Sequence, residues 1–151
     1  MKDAIKYLKL AAHVSMNQPY QPKSEIEILV VNALGVLYLE LGYDKNAATL
    51  FEVAYQQYMA GDVFSENGNV VLYYYGNHLY RMGKYEQALG VFLHGFDDVI
   101  MKQSYFMLAE YALGIARCYD KLGNEEKSDD YHNRHMVMSD IANIKNRHKN
   151  N

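Results

Sequence analysis

The sequence predicts an all-α protein of antiparallel helix hairpins, and three observations predict it. A nine-residue skeleton recurs as Leu34-Gly35-Val36-Leu37-Tyr38-Leu39-Glu40-Leu41-Gly42, Tyr75-Gly76-Asn77-His78-Leu79-Tyr80-Arg81-Met82-Gly83 and Ile115-Ala116-Arg117-Cys118-Tyr119-Asp120-Lys121-Leu122-Gly123. The equivalent residues Gly35, Gly76 and Ala116 lie 41 and 40 positions apart, a period in the range of helical repeats. Each skeleton is followed by residues at i, i+4 and i+7, the spacing of one helix face: Ala47, Phe51 and Ala54, then Ala88, Phe92 and Gly95, then Ser128, His132 and His135. Chain breakers are sparse, with the two prolines both inside Asn17–Pro22, so every other break must use glycine.

Taken in order, Ala4, Leu8 and Ala11 repeat the small-residue spacing of a second hairpin helix, so residues 1–17 read as half a repeat or as a capping helix. A chain opening on half a repeat also leaves open that Met1 begins a piece of a longer protein. Pro19 and Pro22 then break the chain. Ser24-Glu25-Ile26-Glu27 is a capping box in front of an apolar-periodic run, and a first hairpin follows over 25–61. The second occupies 66–102 and the third 104–148, the last with a long final helix and the weakest stripe. Gly42, Gly83 and Gly123 suit left-handed helix C-caps, and Asp44 and Asn124 are placed as N-cap acceptors of the helices that follow. Gly35 and Ala47 predict close approach of two helices, with Tyr38 and Phe51 filling the space beside them.

With small residue, aromatic, glycine turn, alanine, aromatic and alanine at these offsets, the chain resembles the tetratricopeptide repeat (TPR) family over about residues 25–142. The first copy matches almost completely. The second keeps Gly76, Gly83, Tyr85, Ala88 and Phe92, while the third keeps Ala116, Tyr119 and Gly123 but turns polar in its second helix. The family's proline near each repeat end is missing and the period exceeds 34, which implies longer helices. The resemblance implies a single domain over 1–151, with about three repeats plus the N-terminal half-repeat stacked as a right-handed superhelix. Its concave face is lined by the first helix of each hairpin and holds an extended peptide or protein segment. Carried over by alignment, that face comprises Asn32, Val36 and Leu39; Tyr73, Asn77, Tyr80 and Arg81; and Glu110, Leu113, Arg117 and Asp120. Asparagine can bond a peptide's N–H and C=O together, tyrosine adds area with few torsions to freeze, and arginine grips a carboxylate as a fork. Each of these residues alone reads as an ordinary packing or solvated position, and the set gains meaning from the concave architecture.

The clamp that co-chaperones use for chaperone C-termini is not matched, since Asn32, Val36, Tyr74 and Glu110 replace its lysines and asparagines. A more general likeness is to the TPR domains of Gram-positive peptide-pheromone receptors (the Rap and PlcR-like group), which implies the sensing part of a bacterial regulator. Two other classes stay open: a secretion-type chaperone cradling a client segment, and a self-assembling module in which the Met136-Val137-Met138 stretch docks a second copy as a homodimer.

Chemistry-bearing constellations are weak. With 15 Lys+Arg against 18 Asp+Glu and a pI near 6.0, the chain has no basic field to draw nucleic acid or anionic membrane. No apolar run approaches a bilayer span, one cysteine makes no internal disulfide, and no signal-peptide core precedes the repeats, which predicts a cytoplasmic location. His132 and His135 share a helix face but supply two ligands, too few for a metal site. Asp97-Asp98, Glu125-Glu126 and Asp129-Asp130 are sequence neighbours whose side chains diverge on a helix. There is neither a glycine-rich phosphate loop nor a serine elbow. Lys145 to Lys149 complement the final helix dipole. The expectation is a non-catalytic protein with no cofactor.

Overall fold

The computed structural model describes residues 25–61, 68–102 and 105–149, and every regular element among them is an α-helix. In chain order these are α1 (Glu25–Glu40), α2 (Asp44–Ala60), α3 (Gly68–Arg81), α4 (Tyr85–Lys102), α5 (Tyr105–Lys121) and α6 (Glu125–Lys149). The all-α class expected from sequence is therefore observed. The half-repeat of 1–17, the proline break and the Ser24 end of the capping box lie outside the described residues. Two compact units, Met1–Tyr75 and Gly76–Asn151, divide the chain, and α3 runs through their border as one continuous helix.

Three turns of the same build join α1 to α2, α3 to α4 and α5 to α6. Gly42, Gly83 and Gly123 have φ of 85°, 78° and 82°, the left-handed region that a Cβ disfavours. At the first turn Gly42 N–H donates to the Leu39 carbonyl at 3.0 Å and Tyr43 N–H to that of Tyr38 at 2.8 Å, the double bond of a Schellman cap. The same pair recurs from Gly83 to Tyr80 and Lys84 to Leu79, and from Gly123 to Asp120 and Asn124 to Tyr119. The residue after each glycine also accepts the first bond of the next helix, from Ala47, Ala88 and Ser128 respectively. One residue thus closes one helix and opens another, which leaves no slack in the hairpin. Asn124 caps α6 as expected, its Oδ1 accepting from Lys127 N–H at 3.2 Å. The expectation for Asp44 fails. Tyr43 holds the N-cap position without a side-chain bond, and Asp44 is the first residue of α2, where its charge faces the helix dipole instead. Tyr43 is retained there by its ring, edge-on to Tyr38 at 6.0 Å, the apolar contact that accompanies this cap.

In the first unit α1 packs along α2 around Val31, Leu34, Leu50, Ala54 and Val71, with Ile28, Tyr38, Val53 and Tyr58 around them. Ala47, Phe51 and Ala54, the predicted stripe, are all buried. Phe51 lies directly against Gly35, where a Cβ would come within 2.8 Å of its ring. Its other side is stacked parallel to Tyr74 at 6.1 Å, and Tyr55 stacks on Tyr75 at 4.0 Å, so tyrosines of α3 face α2 ring to ring.

In the second unit α5 packs against both α4 and α6. Phe92 of α4 is fully buried and lies against two glycines, Gly76 of α3 and Gly114 of α5. Tyr111 of α5, also fully buried, meets Phe92 edge-on at 6.2 Å and covers Gly95 of α4. The third hairpin, whose stripe is polar, adds hydrogen bonds to the ring contact of Tyr119 with Tyr131 at 5.9 Å. Ser128 Oγ donates to the Ala116 carbonyl at 2.9 Å, and His135 Nδ1 donates to that of Ala109 at 2.8 Å. Both reach from α6 to the backbone of α5. At 25 residues α6 is the longest helix, in keeping with the long second helices expected from the period.

These glycines yield opposite expectations. Ala is favoured over Gly inside a helix by about 1 kcal/mol, so Gly90→Ala, with nothing within 4 Å of the added methyl, should raise stability by roughly that amount. At Gly76 the methyl would stand 2.6 Å from the fully buried ring of Phe92, and overpacking of that kind costs about 1–3 kcal/mol. Urea unfolding of both variants should therefore show midpoints moved in opposite directions from wild type.

Candidate binding cleft

Within the first unit, α1 and the start of α3 leave an open cleft of about 400 Å³ lined by Leu29, Asn32, Ala33, Val36, Val70 and Tyr74. Helical register explains the lining. Leu29, Asn32 or Ala33, and Val36 recur at three- and four-residue steps and share one face of α1, as Val70 and Tyr74 do on α3. Tyr74 is braced by Phe51 behind it and by the edge of Tyr73 at 5.4 Å, so the aromatic wall is held by packing. No ionisable group other than the Tyr74 phenol lines the cleft.

Asn32 is the anomaly in this lining. It is 3 % exposed, yet its Oδ1 has no hydrogen-bond partner among the described residues. A buried acceptor left unpaired costs about 1–3 kcal/mol, and an apolar residue of similar shape would avoid that cost. By contrast Ser128 in the second unit is equally buried and fully engaged.

Of the residues expected on a concave face, Asn32 and Val36 are brought together in the cleft. Tyr73 belongs to the same unit but supports Tyr74 and does not line the cleft. Asn77, Tyr80, Arg81, Leu113 and Arg117 all lie in the second unit. There Asn77 and Leu113 are half-buried, Arg81 and Arg117 are exposed, and Tyr80 packs edge-on to Tyr85 at 5.2 Å. Leu29, Ala33, Val70 and Tyr74 were not among the expected residues. Their signal was the i, i+4 spacing of Leu29 and Ala33 on α1 and of Val70 and Tyr74 on α3, which identifies neighbours on a face but not which helix stands opposite. A second depression of about 330 Å³, at Gly83 to Gln87 and Leu122, lies at the turn into α4, and none of its lining residues is a buried polar one.

The remaining reactive side chains are engaged or shielded. His135 commits Nδ1 to a carbonyl, which removes that nitrogen from metal ligation, and no group of three His, Cys, Asp or Glu able to hold a metal occurs among the described residues. Cys118 is fully buried, and burial pushes its thiol from 9.0 up to about 12, away from the thiolate that nucleophilic chemistry needs. The Tyr75 phenol is raised by burial first, with the Glu52 carboxylate and Tyr55 adding to it. No helix among the described residues is long and apolar enough to cross a membrane. Compared with known protein families and with characterised proteins, the sequence matches none.

The thiol sets a pH dependence. Unfolded, Cys118 ionises around its ordinary 9.0; folded, it keeps its proton to about 12, so between these values the unfolded chain binds fewer protons. The contribution is complete below pH 9 and is lost as pH rises toward 12. Urea midpoints measured across this range should fall more steeply for the wild type than for Cys118→Ala.

Proposed function

We propose that the chain is a non-catalytic helix-hairpin scaffold of the TPR type, and that the cleft between α1 and α3 holds a segment of another polypeptide. The observation that carries this reading is Asn32, which lines an open, otherwise apolar cleft and whose buried Oδ1 has no hydrogen-bond partner among the described residues. A peptide backbone N–H is the natural partner of such an acceptor, and the same amide can donate to the neighbouring carbonyl. Tyr74 and the aliphatic residues supply contact area, and the braced aromatic loses little entropy when a ligand covers it. Three turns of one build and ring-into-glycine packing in two hairpins support the TPR reading. In a bacterial regulator of the pheromone-receptor kind, occupancy of this cleft would be the sensed event in the cytoplasm, and in a secretion-type chaperone the same cleft would cradle a client segment.

One observation favours a second reading, self-assembly. Met136, Val137 and Ile144 are large apolar residues left exposed on α6, the surface on which a second copy would dock.

Calorimetric titration of the full chain with pooled, end-blocked linear peptides tests the first reading. Saturable heat should appear and should fall at least tenfold in Asn32→Leu, while the unfolding midpoint of that variant stays level or rises because an unpaired acceptor has been removed. Absence of heat in the wild type, with concentration-dependent dimers in the same sample, would replace peptide binding by assembly.

A further inference from the structure

We propose that α6 pairs antiparallel with the α6 of a second copy of this chain, along a seam centred near Val137. This gives the self-assembly reading a surface and a geometry and rests on it, and it requires nothing of the α1/α3 cleft. One face of α6 is already in use. Ser128 and His135 bond carbonyls of α5, and Ala142, a further seven residues on, is buried. The opposite face is open. Asp130, Asn133, Val137, Asp140, Ile144 and Arg147 follow one another at alternating steps of three and four residues, and all six are exposed. That alternation is the seam of a two-helix coiled coil, here about 26 Å long. Val137, Ile144 and the adjoining Met136 are large apolar side chains, each more than half exposed.

Charge order along α6 selects the occupant of that face. The first six residues of the helix hold Glu125, Glu126, Asp129 and Asp130 against Lys127 alone, whereas the last six include Lys145 and Arg147 and no acid. A parallel copy would set acid against acid and base against base, while an antiparallel copy sets each acidic end on a basic one. Asp129 and Arg147 lie nine residues before and after Met138, about 14 Å either way. A two-fold axis level with Met138 therefore brings Asp129 of each copy to Arg147 of the other and gathers both Met136 and both Val137 side chains at the centre. Neither Asp129 nor Arg147 has an ion pair among the described residues, whereas Asp130 already bridges Arg134 at 3.2 Å. Asn133 and Asp140 are polar positions within the seam, which fix its register at a cost in strength. So short a seam belongs to the class of interfaces under about 1,200 Å² in total, and the dimer dissociates on dilution.

Sedimentation of the full chain over a dilution series tests this. Monomer should pass to dimer as concentration rises. Val137→Asp, at an exposed position, should abolish the dimer and leave the helix signal and unfolding midpoint of the dilute monomer unchanged. Asp129→Arg and Arg147→Asp should each weaken the dimer by about tenfold, because each turns two attractive exposed pairs into repulsive ones. Combining them in one chain should recover most of that loss. Recovery requires an antiparallel partner, since within one α6 the two residues are about 27 Å apart, well beyond the Debye length of about 8 Å. A chain that stays monomeric at every concentration removes self-assembly and this pairing together. A dimer indifferent to Val137→Asp, or a double variant no better than the single ones, overturns the α6 pairing and leaves self-assembly through another surface. Loss of the dimer in Asn32→Leu would move the interface to the cleft and overturn the pairing as well.

Discussion

The reciprocal fit of aromatic rings into glycines is the constraint on which the rest of this protein depends. Phe92 of α4 enters the gap at Gly114 of α5, and Tyr111 of α5 covers Gly95 of α4, so the two helices exchange a ring for a bare backbone position in both directions. Neither can slide along the other without driving a ring into a backbone. In the first unit Phe51 does the same against Gly35, and its far side braces Tyr74. Close-packed interiors transmit this kind of restraint directly, because no void of methyl size is available to absorb a shift. The position of the aromatic wall of the cleft is therefore set by a glycine two helices away.

Polar residues reveal where this packing has been left incomplete. In the third hairpin the polar stripe residues Ser128 and His135 each find a carbonyl of α5. Asn32 is as buried as Ser128, and its Oδ1 has no such partner among the described residues. A local rule that holds at Ser128 and His135 and fails at a residue beside an open cleft is the pattern expected of a binding position.

The two units also differ in what their tyrosines face. In the second, Lys121, Lys127, Arg134 and Lys145 lie 4.4–6.0 Å from the ring centres of Tyr85, Tyr119, Tyr131 and Tyr105, so cations of the chain itself cover the aromatic surface. In the first, Phe51, Tyr55, Tyr74 and Tyr75 stack on one another, and the helices around them carry almost only acids. Tyrosine content alone does not separate these two uses; the placement of lysines does.

The helices, the three glycine turns and the buried stripe Ala47, Phe51 and Ala54 were determined by the sequence itself, because each depends on residues within a few positions of one another. A left-handed cap needs a glycine at one place, and a helix face repeats every three or four residues whatever lies beyond it. Asp44 was misread because Asp44 and Tyr43 are neighbours, and the edge-on contact with Tyr38 that settles Tyr43 at the N-cap is a matter of ring geometry. Asn32 and Val36 could be named as candidates from register, but Val70 and Tyr74 stand some forty residues away, and only packing across helices brought them opposite α1. Tertiary structure alone decided that Phe92 lies against both Gly76 and Gly114, that His135 bonds Ala109, and that Oδ1 of Asn32 is buried with no partner among the described residues. Burial and hydrogen-bond satisfaction are properties of what surrounds a residue in space, and a local pattern carries no record of them.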